Sequence, residues 1–144
     1  MEHSFHYRIV ENALDLQKAF FVRGVVFVEE QHCPFEIEHD QHDYSATHFI
    51  VTQENEPVAT ARIRFCHDYV KIERLAVRKS FRKKEIGKTL FRFVLEHIEK
   101  LGYNRAVLHA QLYLVRFYED FGFVKEGEPF LEANIEHYHM EKHF

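Results

Sequence analysis

Apolar and polar positions along the chain fall into short segments that predict β-strands, interrupted by segments with a helical period. The predicted strands cover residues 7–10, 48–52, 58–65, 69–77, 105–110, 123–126 and 135–143. Segments 58–65 and 69–77 are joined by the short turn His67-Asp68, which predicts an antiparallel hairpin. The final segment alternates apolar and polar side chains, as expected for a strand with one buried face.

The period changes at Ile86, where apolar residues recur at 86, 90, 94, 98 and 101. This near-helical spacing predicts a helix that ends at Gly102, a natural helix stop. An earlier helix is predicted from Ala13, because the Asn12 side chain can cap its first turn. A third, short helix is predicted over 113–121. Strands and helices thus alternate in a mixed order with no internal repeat.

Composition limits the class of protein to which the chain can belong. A chain of 144 residues and 17.4 kDa is expected to form one domain over 1–144, and 46% hydrophobic residues suffice for a core. Only 5 Gly and 3 Pro argue against low-complexity or disordered sequence. Two cysteines suit a reducing cytosol, and neither a membrane-spanning run nor a signal peptide is recognisable. A cytoplasmic location is therefore expected.

Charge is distributed unevenly along the chain. The whole chain carries −4, but the 22 residues from Lys71 to Arg92 include nine basic and two acidic side chains. This segment therefore carries a net charge of +7, and the remainder of the chain carries −11. The segment is either a solvated helix face with a basic loop or a local site for a small polyanion. The acidic total argues against nucleic acid as a partner.

The basic segment is centred on a predicted helix entrance. A strand ending near Val77 leads through a loop into a helix that opens at residues 84–87. Unpaired amides and the helix dipole make such an entrance a phosphate site, and Gly87 permits close backbone approach. The segment lacks a Gly-x-x-x-x-Gly-Lys-Ser/Thr loop, which excludes an ordinary P-loop nucleotidase. It also lacks the Gly-x-Gly-x-x-Gly of a Rossmann fold.

Four segments together resemble the GNAT superfamily of N-acetyltransferases. Residues 82–87, Arg-Lys-Lys-Glu-Ile-Gly, occupy the place of the family's Arg/Gln-x-x-Gly-x-Gly/Ala loop. Residues 117–123, Phe-Tyr-Glu-Asp-Phe-Gly-Phe, resemble its Phe/Leu-Tyr-x-x-x-Gly-Phe signature. Segments 26–40 and 130–140 also resemble a subgroup of small bacterial acetyltransferases. The order of strands and helices matches over nearly the whole chain.

The resemblance implies an α/β fold with a mixed, mostly antiparallel sheet that is splayed at the acyl-CoA site and carries helices on both faces. It implies transfer of an acetyl group from acetyl-CoA, used as co-substrate, to a primary amine of a small molecule or peptide. The implied cofactor-binding residues are Leu75, Ala76, Val77, Arg82, Lys83, Lys84, Glu85, Ile86, Gly87, Lys88, Gln111 and Tyr118. Within that set, the backbone of residues 75–77 pairs with the pantetheine arm.

Two positions depart from the family pattern. Glu85 replaces the usual first glycine of the loop, so either it weakens CoA binding or its side chain points outward. Gln111 stands where many relatives carry Asn.

Three side chains are candidates for the chemistry. The resemblance places Tyr118 where it can protonate the departing thiolate; the alternative is a core tyrosine beneath the short helix. Glu73 has the side-chain parity of Leu75 and Val77 along its strand, so it is a candidate general base. Its alternative role is a structural partner for Arg74 or for a neighbouring strand. His137 is predicted to line the acceptor pocket, or else to be a hydrogen-bonded sheet histidine.

Other functions compete with the acetyltransferase hypothesis. An acyl-CoA-binding protein with weak or lost catalysis is the first alternative, motivated by Glu85. A metal-dependent hydrolase using His39 and His42 is the second, although the acidic segment 36–43 is read as a solvated loop and no metal is expected. No membrane partner is expected, and an exposed edge strand makes a homodimer plausible. The sequence does not identify the acceptor amine.

Overall fold

The structure, a computed structural model, describes residues 4–144 as one seven-stranded sheet with helices on both faces. The strands are β1 His6–Ile9, β2 Thr47–Gln53, β3 Glu56–Cys66, β4 Tyr69–Val77, β5 Arg105–Gln111, β6 Val124–Glu132 and β7 Ile135–His143. The α-helices are α1 Ala13–Arg23, α2 Phe35–Glu38, α3 Ile86–Lys100 and α4 Val115–Glu119. The spatial strand order is β1-β2-β3-β4-β5-β7-β6. Within this part of the chain, no helix combines the length and apolarity that crossing a bilayer requires.

The predicted elements are confirmed, with shifts at their ends. Asn12 caps α1 by accepting a 2.8 Å hydrogen bond from the Asp15 amide, and α1 continues into a π-helical stretch, Gly24–Glu30, here called the π segment. Residues 36–43 were expected to be a loop, but they begin within the single turn of α2. The short helix over 113–121 begins as a 3-10 turn, Leu112–Leu114, before α4. Local capping and period therefore locate the predicted elements, but not the π segment or α2.

The sheet is antiparallel except at its centre, where β4 and β5 run parallel. Their pairing joins Val70–Ile72 to Ala106–Leu108 and goes no further. Beyond these residues the two strands diverge, because β4 stays paired with β3 and β5 stays paired with β7. This confirms the mixed, mostly antiparallel, splayed sheet. The opening lies between the carboxyl ends of the two central strands.

A β-bulge in β4 decides which side chains face each side of the sheet. Glu73 is opposite Arg62 and Ala76 is opposite Thr60, so β4 carries one more residue than β3 in this interval. Arg74, within the bulge, has φ +56°. The extra residue shifts the alternation. Because of it, the expectation that Glu73 shares a face with Leu75 and Val77 is wrong.

The two faces of the sheet are covered by different helices. The apolar side of α3 (Leu90, Val94 and Ile98) is fully buried against side chains such as Ile63 and Leu108. Leu75 and Val77 pack at the edge of this core. On the opposite face, Ala76 packs with Val22 of α1 and Val26 of the π segment.

Four arginines and four carboxylates form a buried network on the α1 face. Its members are Arg23, Arg62, Arg64, Arg74, Glu38, Asp40, Asp43 and Glu73. Arg62 is fully buried and donates to Asp40 at 2.7 Å, Asp43 at 2.8 Å and Glu73 at 3.0 Å. The solvated acidic loop expected at 36–43 is therefore wrong, because its carboxylates neutralise buried arginines.

Folding stability is expected to fall steeply in acid because of this arginine–carboxylate network. Burial by itself raises the pKa of Asp40, Asp43 and Glu73, but their arginine partners outweigh it and hold each pKa below its usual range. A depressed carboxylate pKa stabilises the fold above about pH 4 and stops doing so as the pH falls through the lowered value. Urea unfolding between about pH 6 and pH 3 should show this loss. A free energy of unfolding that stays constant over that range would contradict the assignment.

Candidate active site

A cavity of about 330 Å³ occupies the opening between β4 and β5. Its walls come from these strands, the end of the π segment, the 3-10 turn before α4 and the β6–β7 hairpin. Side chains used below that line it are Gln31, Glu73, Leu75, Gln111, Tyr118 and His137. The divergence of the strands therefore brings together residues that are far apart in sequence.

The entrance of α3 lies beside the end of β4. The first intrahelical hydrogen bond runs from the Thr89 amide to the Glu85 carbonyl at 3.0 Å. The amides of Ile86, Gly87 and Lys88 precede it and lack helical acceptors. Ile86 is itself buried in the core, so it presents only its backbone at this entrance. Free amides and the helix dipole favour an anion here.

The backbone at Glu85 explains why this position favours glycine. Glu85 is the N-cap of α3 with φ +63°, and Lys83 has φ +66°. Both lie in the left-handed region, which glycine adopts without strain. The Glu85 side chain is 73% exposed and its carboxylate is 3.8 Å from the Lys88 ammonium. Of the two readings of this departure, the structure agrees with the outward-pointing side chain.

Arg82 ties this loop to the π segment. Its Nε donates to the Val77 carbonyl at 2.9 Å, and its two terminal nitrogens donate to Glu30 at 2.9 and 2.7 Å. The other basic side chains of the loop, Lys83, Lys84 and Lys88, are exposed. The loop therefore presents positive charge to solvent around the free amides of α3.

The edge of β4 that faces the opening is unpaired beyond Ile72 in the described sheet. The backbone of Leu75–Val77 lies on this edge, where the Val77 carbonyl already accepts from Arg82, and the other edge pairs with β3 as far as Ala59 opposite Val77. Gly87 lies against this strand end, where an added Cβ would meet Val77 Cγ2 at 3.7 Å. The strand edge thus leads directly to the α3 entrance.

Tyr118 reaches the cavity from α4. Only 7% of the residue is exposed, and its ring packs against Phe91 at 5.2 Å and Phe123 at 6.3 Å between centroids. Burial, with a smaller contribution from Tyr113, raises the pKa of Tyr118. Within residues 4–144 no hydrogen-bond partner holds its hydroxyl. The hydroxyl is therefore protonated near neutral pH and free to donate.

Glu73 lies on the α1 side of the opening, in the arginine–carboxylate network. Its carboxylate accepts hydrogen bonds from Arg62 at 3.0 Å and from Arg64. Burial raises its pKa, but the Arg64 bond and the Arg62 charge outweigh burial and lower it. This geometry agrees with the structural-partner alternative; a role as general base stays a prediction.

Gln111 and His137 occupy the opposite wall, where β5 and β7 pair them directly. The Gln111 amide donates to Gln31 Oε1 at 3.0 Å and so connects β5 to the end of the π segment. His137 is buried, and its Nδ1 is 2.7 Å from the Ile135 carbonyl. Both side chains lie in the cavity wall with Tyr118.

Sequence reasoning missed Gln31, His109 and Glu132, all of which line the cavity. Glu132 accepts from His109 Nδ1 at 3.0 Å, and its second oxygen is 3.8 Å from His137 Nε2. The polar alternation of the final strands was the available signal. It could not identify these residues without the register of the β6–β7 hairpin.

Potential metal ligands converge elsewhere. Among residues 4–144, the group able to hold an ion is Glu126, His139 and Glu141, with ligand atoms within 4.8 Å of one another. Glu141 already accepts a bond from Arg105. The carboxylates beside His39 and His42 bind arginines, which leaves the hydrolase hypothesis without a ligand set in the described loop.

A sheet splayed between two parallel strands, with a free helix entrance beside one of them, defines the acetyltransferase class of α/β fold. A model of the acetyltransferase (GNAT) domain matches residues 15–144, and the chain belongs to this family. Members of the family use acetyl-CoA as co-substrate.

Named relatives agree with this assignment. The chain is 35% identical over 135 residues to the Bacillus subtilis protein named Uncharacterized N-acetyltransferase YjcF, covering 93% of this chain and 96% of that one. The crystal structure of Escherichia coli ElaA is 28% identical, with a TM-score of 0.87 over 96% of this chain and 99% of that chain. An acyl-CoA N-acyltransferase from Pseudomonas aeruginosa is 26% identical, with a TM-score of 0.89 and the same coverage.

Proposed function

We propose that the chain is an N-acetyltransferase that moves the acetyl group of acetyl-CoA to a primary amine of a small molecule or peptide. The observation that carries this proposal is one continuous path. It runs from the free amides of α3, along the unpaired edge of β4, to the cavity that contains Tyr118.

Each part of the path has a chemical role in the proposal. The amides of Ile86, Gly87 and Lys88 bind the pyrophosphate, and the basic side chains of residues 82–84 supplement them. The backbone of Leu75–Val77 pairs with the pantetheine arm. A backbone N–H near Val77 polarises the thioester carbonyl, where negative charge develops during attack.

Tyr118 completes the proposed reaction. As the amine nitrogen bonds to the thioester carbon, the carbon–sulfur bond breaks and its electron pair goes to sulfur. The protonated Tyr118 hydroxyl donates to this sulfur. Burial keeps the Tyr118 hydroxyl protonated, so it is a hydrogen-bond donor for the sulfur as negative charge develops there.

Two assays test the proposal directly. Acetyl-CoA at about 100 times its dissociation constant should stabilise the fold by about 2.7 kcal/mol in a thermal-shift titration. A panel of primary amines should then include acceptors that release free thiol from acetyl-CoA. Absence of a thermal shift at millimolar acetyl-CoA would overturn the proposal at its binding step.

Gly87→Ala is expected to weaken acetyl-CoA binding without weakening the fold. The added methyl group meets Val77 only at ordinary contact distance, and alanine favours the helix over glycine. It does, however, occupy the approach to the α3 amides, so we expect about a tenfold higher Kd, or ~1.4 kcal/mol. Isothermal titration measures this directly.

Gly24→Ala is the matched control for that measurement. Gly24 has αR backbone angles, and an added Cβ would meet nothing within 4 Å. It lies at the start of the π segment and is not part of the α3 entrance. Equal losses of affinity in the two variants would contradict a specific role for Gly87.

The binding-only alternative has lost the observation that motivated it. It rested on a Glu85 carboxylate placed among the phosphates, but that side chain is exposed and turned toward Lys88. Binding of acetyl-CoA with no thiol release across a broad amine panel would restore this alternative.

A further inference from the structure

We propose that His137 is the general base of the transfer, and that Glu132 and His109 are its positioning residues. This inference rests on the proposed acetyl transfer and names the group that takes the proton from the acceptor amine.

The hydrogen bond to Ile135 sets the tautomer of His137. A backbone carbonyl can only accept, so the 2.7 Å contact requires the proton on Nδ1. The neutral ring therefore keeps its lone pair on Nε2. The ring stacks on Phe130 at 6.1 Å between centroids, and its side chain is 8% exposed. Its orientation is thus fixed before an acceptor arrives.

Glu132 stabilises the product of proton transfer. One of its oxygens lies 3.8 Å from His137 Nε2, too far for a hydrogen bond but close enough to attract an imidazolium. Its other oxygen accepts from His109 Nδ1 at 3.0 Å, which holds the carboxylate in place. The bond from His109 lowers the pKa of Glu132, so the carboxylate is ionised near neutral pH.

Other charged and titratable groups share the cavity with His137. They are His109 from β5, Glu132 from β6, Tyr118 from α4, Cys33 from the segment before α2, and Lys71, Glu73 and Arg74 from β4. Glu38 and Asp40 lie across the cavity and bind arginines. Each carboxylate among them is paired, and Tyr118 is protonated. His109 donates its Nδ1 hydrogen to Glu132. Along β5 it lies two residues before Gln111, which pairs with His137.

The proton and electron balance is complete with these groups. A nitrogen–carbon bond forms while one N–H proton of the neutral amine passes to His137 Nε2. The carbon–sulfur bond breaks, sulfur takes its electron pair, and the Tyr118 proton completes the thiol. His137 then releases a proton to solvent and Tyr118 regains one, so the enzyme returns to its starting state.

The test compares kcat/KM as a function of pH in the wild type, His137→Gln and His139→Gln. The wild type should lose activity on the acidic side as the base protonates. His137→Gln should lose about 10²- to 10⁴-fold in kcat together with that acidic limb, and its acetyl-CoA affinity should remain. His139 lies on the same face of β7 but outside the cavity, so its variant should keep the wild-type profile.

Two further measurements separate catalysis from folding. Imidazole added to His137→Ala should restore part of the rate, which a structural histidine would not allow. In the wild type, nitrogen NMR should find the Nδ1–H tautomer of neutral His137, and an Nε2–H tautomer would overturn the inference without any variant.

The outcomes also distinguish this inference from the proposed function. If His137→Gln is active and keeps the acidic limb of the pH profile, the role of His137 is overturned and the proposed function stands. The same conclusion follows if the acidic limb is lost only in Glu73→Gln or His109→Asn. A wild type that binds acetyl-CoA but acetylates no amine overturns the proposed function and the base together.

Discussion

Tyr118→Phe is expected to lower kcat by about 10²-fold or more while leaving acetyl-CoA affinity nearly unchanged. The substitution removes only the hydroxyl, and the ring keeps its edge-to-face contacts with Phe91 and Phe123. Without the hydroxyl, the sulfur must leave as an unprotonated thiolate. The rate of thiol release at saturating acetyl-CoA, and the dissociation constant from titration, measure the two effects separately.

Tyr44→Phe is a suitable control for this experiment. Tyr44 is 76% exposed and does not line the cavity, so its variant should match the wild type. If Tyr118→Phe instead raised the acetyl-CoA dissociation constant and left kcat unchanged, Tyr118 would be a binding residue. If neither kcat nor the dissociation constant changed, the alternative of a core tyrosine would gain support.

Arg62→Met is expected to reduce the free energy of unfolding by about 3–5 kcal/mol. Methionine fills much of the same volume but removes the guanidinium that Asp40, Asp43 and Glu73 share, which leaves three arginines to neutralise the four carboxylates of the network. An uncompensated charge in a buried site is costly, and protonation of these carboxylates would relieve only part of the cost. Urea unfolding at neutral pH measures the change.

Arg116→Ala provides the surface comparison. Arg116 is 86% exposed and pairs with Asp120 at 3.4 Å, so its loss should alter the free energy of unfolding by less than about 0.5 kcal/mol. A similarly small change in Arg62→Met would show that the buried network is not a major source of stability.

The fold class and family could be predicted from the sequence because their signals are local. The period beginning at Ile86 and the stop at Gly102 place α3, and Asn12 places the start of α1. The divergence of the central strands agrees with the implied splayed sheet. Each of these features depends on residues that are close in sequence, or on a motif that the chain carries with the family's spacing.

The candidate site could be predicted only in part. The residues around Gly87 and Tyr118 lie within contiguous motifs; Tyr118 lines the opening of the sheet, and Gly87 lies against the end of β4 at Val77. Glu132 and His109 carry no such motif, because their contacts depend on strands that are distant in sequence. The acidic segment 36–43 was misread for the same reason, since its arginine partners lie 15 or more residues away in sequence.

The sequence by itself determined the order of elements, the helix entrance at Gly87 and the position of Tyr118, because capping, periodicity and glycine stops act within a few residues. Only the tertiary structure decided the orientation of Glu73, since one extra residue at Arg74 reverses the alternation of β4. It likewise decided that Glu132 lies beside His137, through the register of β6 against β7. Register and bulges are set by pairing between distant strands, so residues close in sequence do not reveal them.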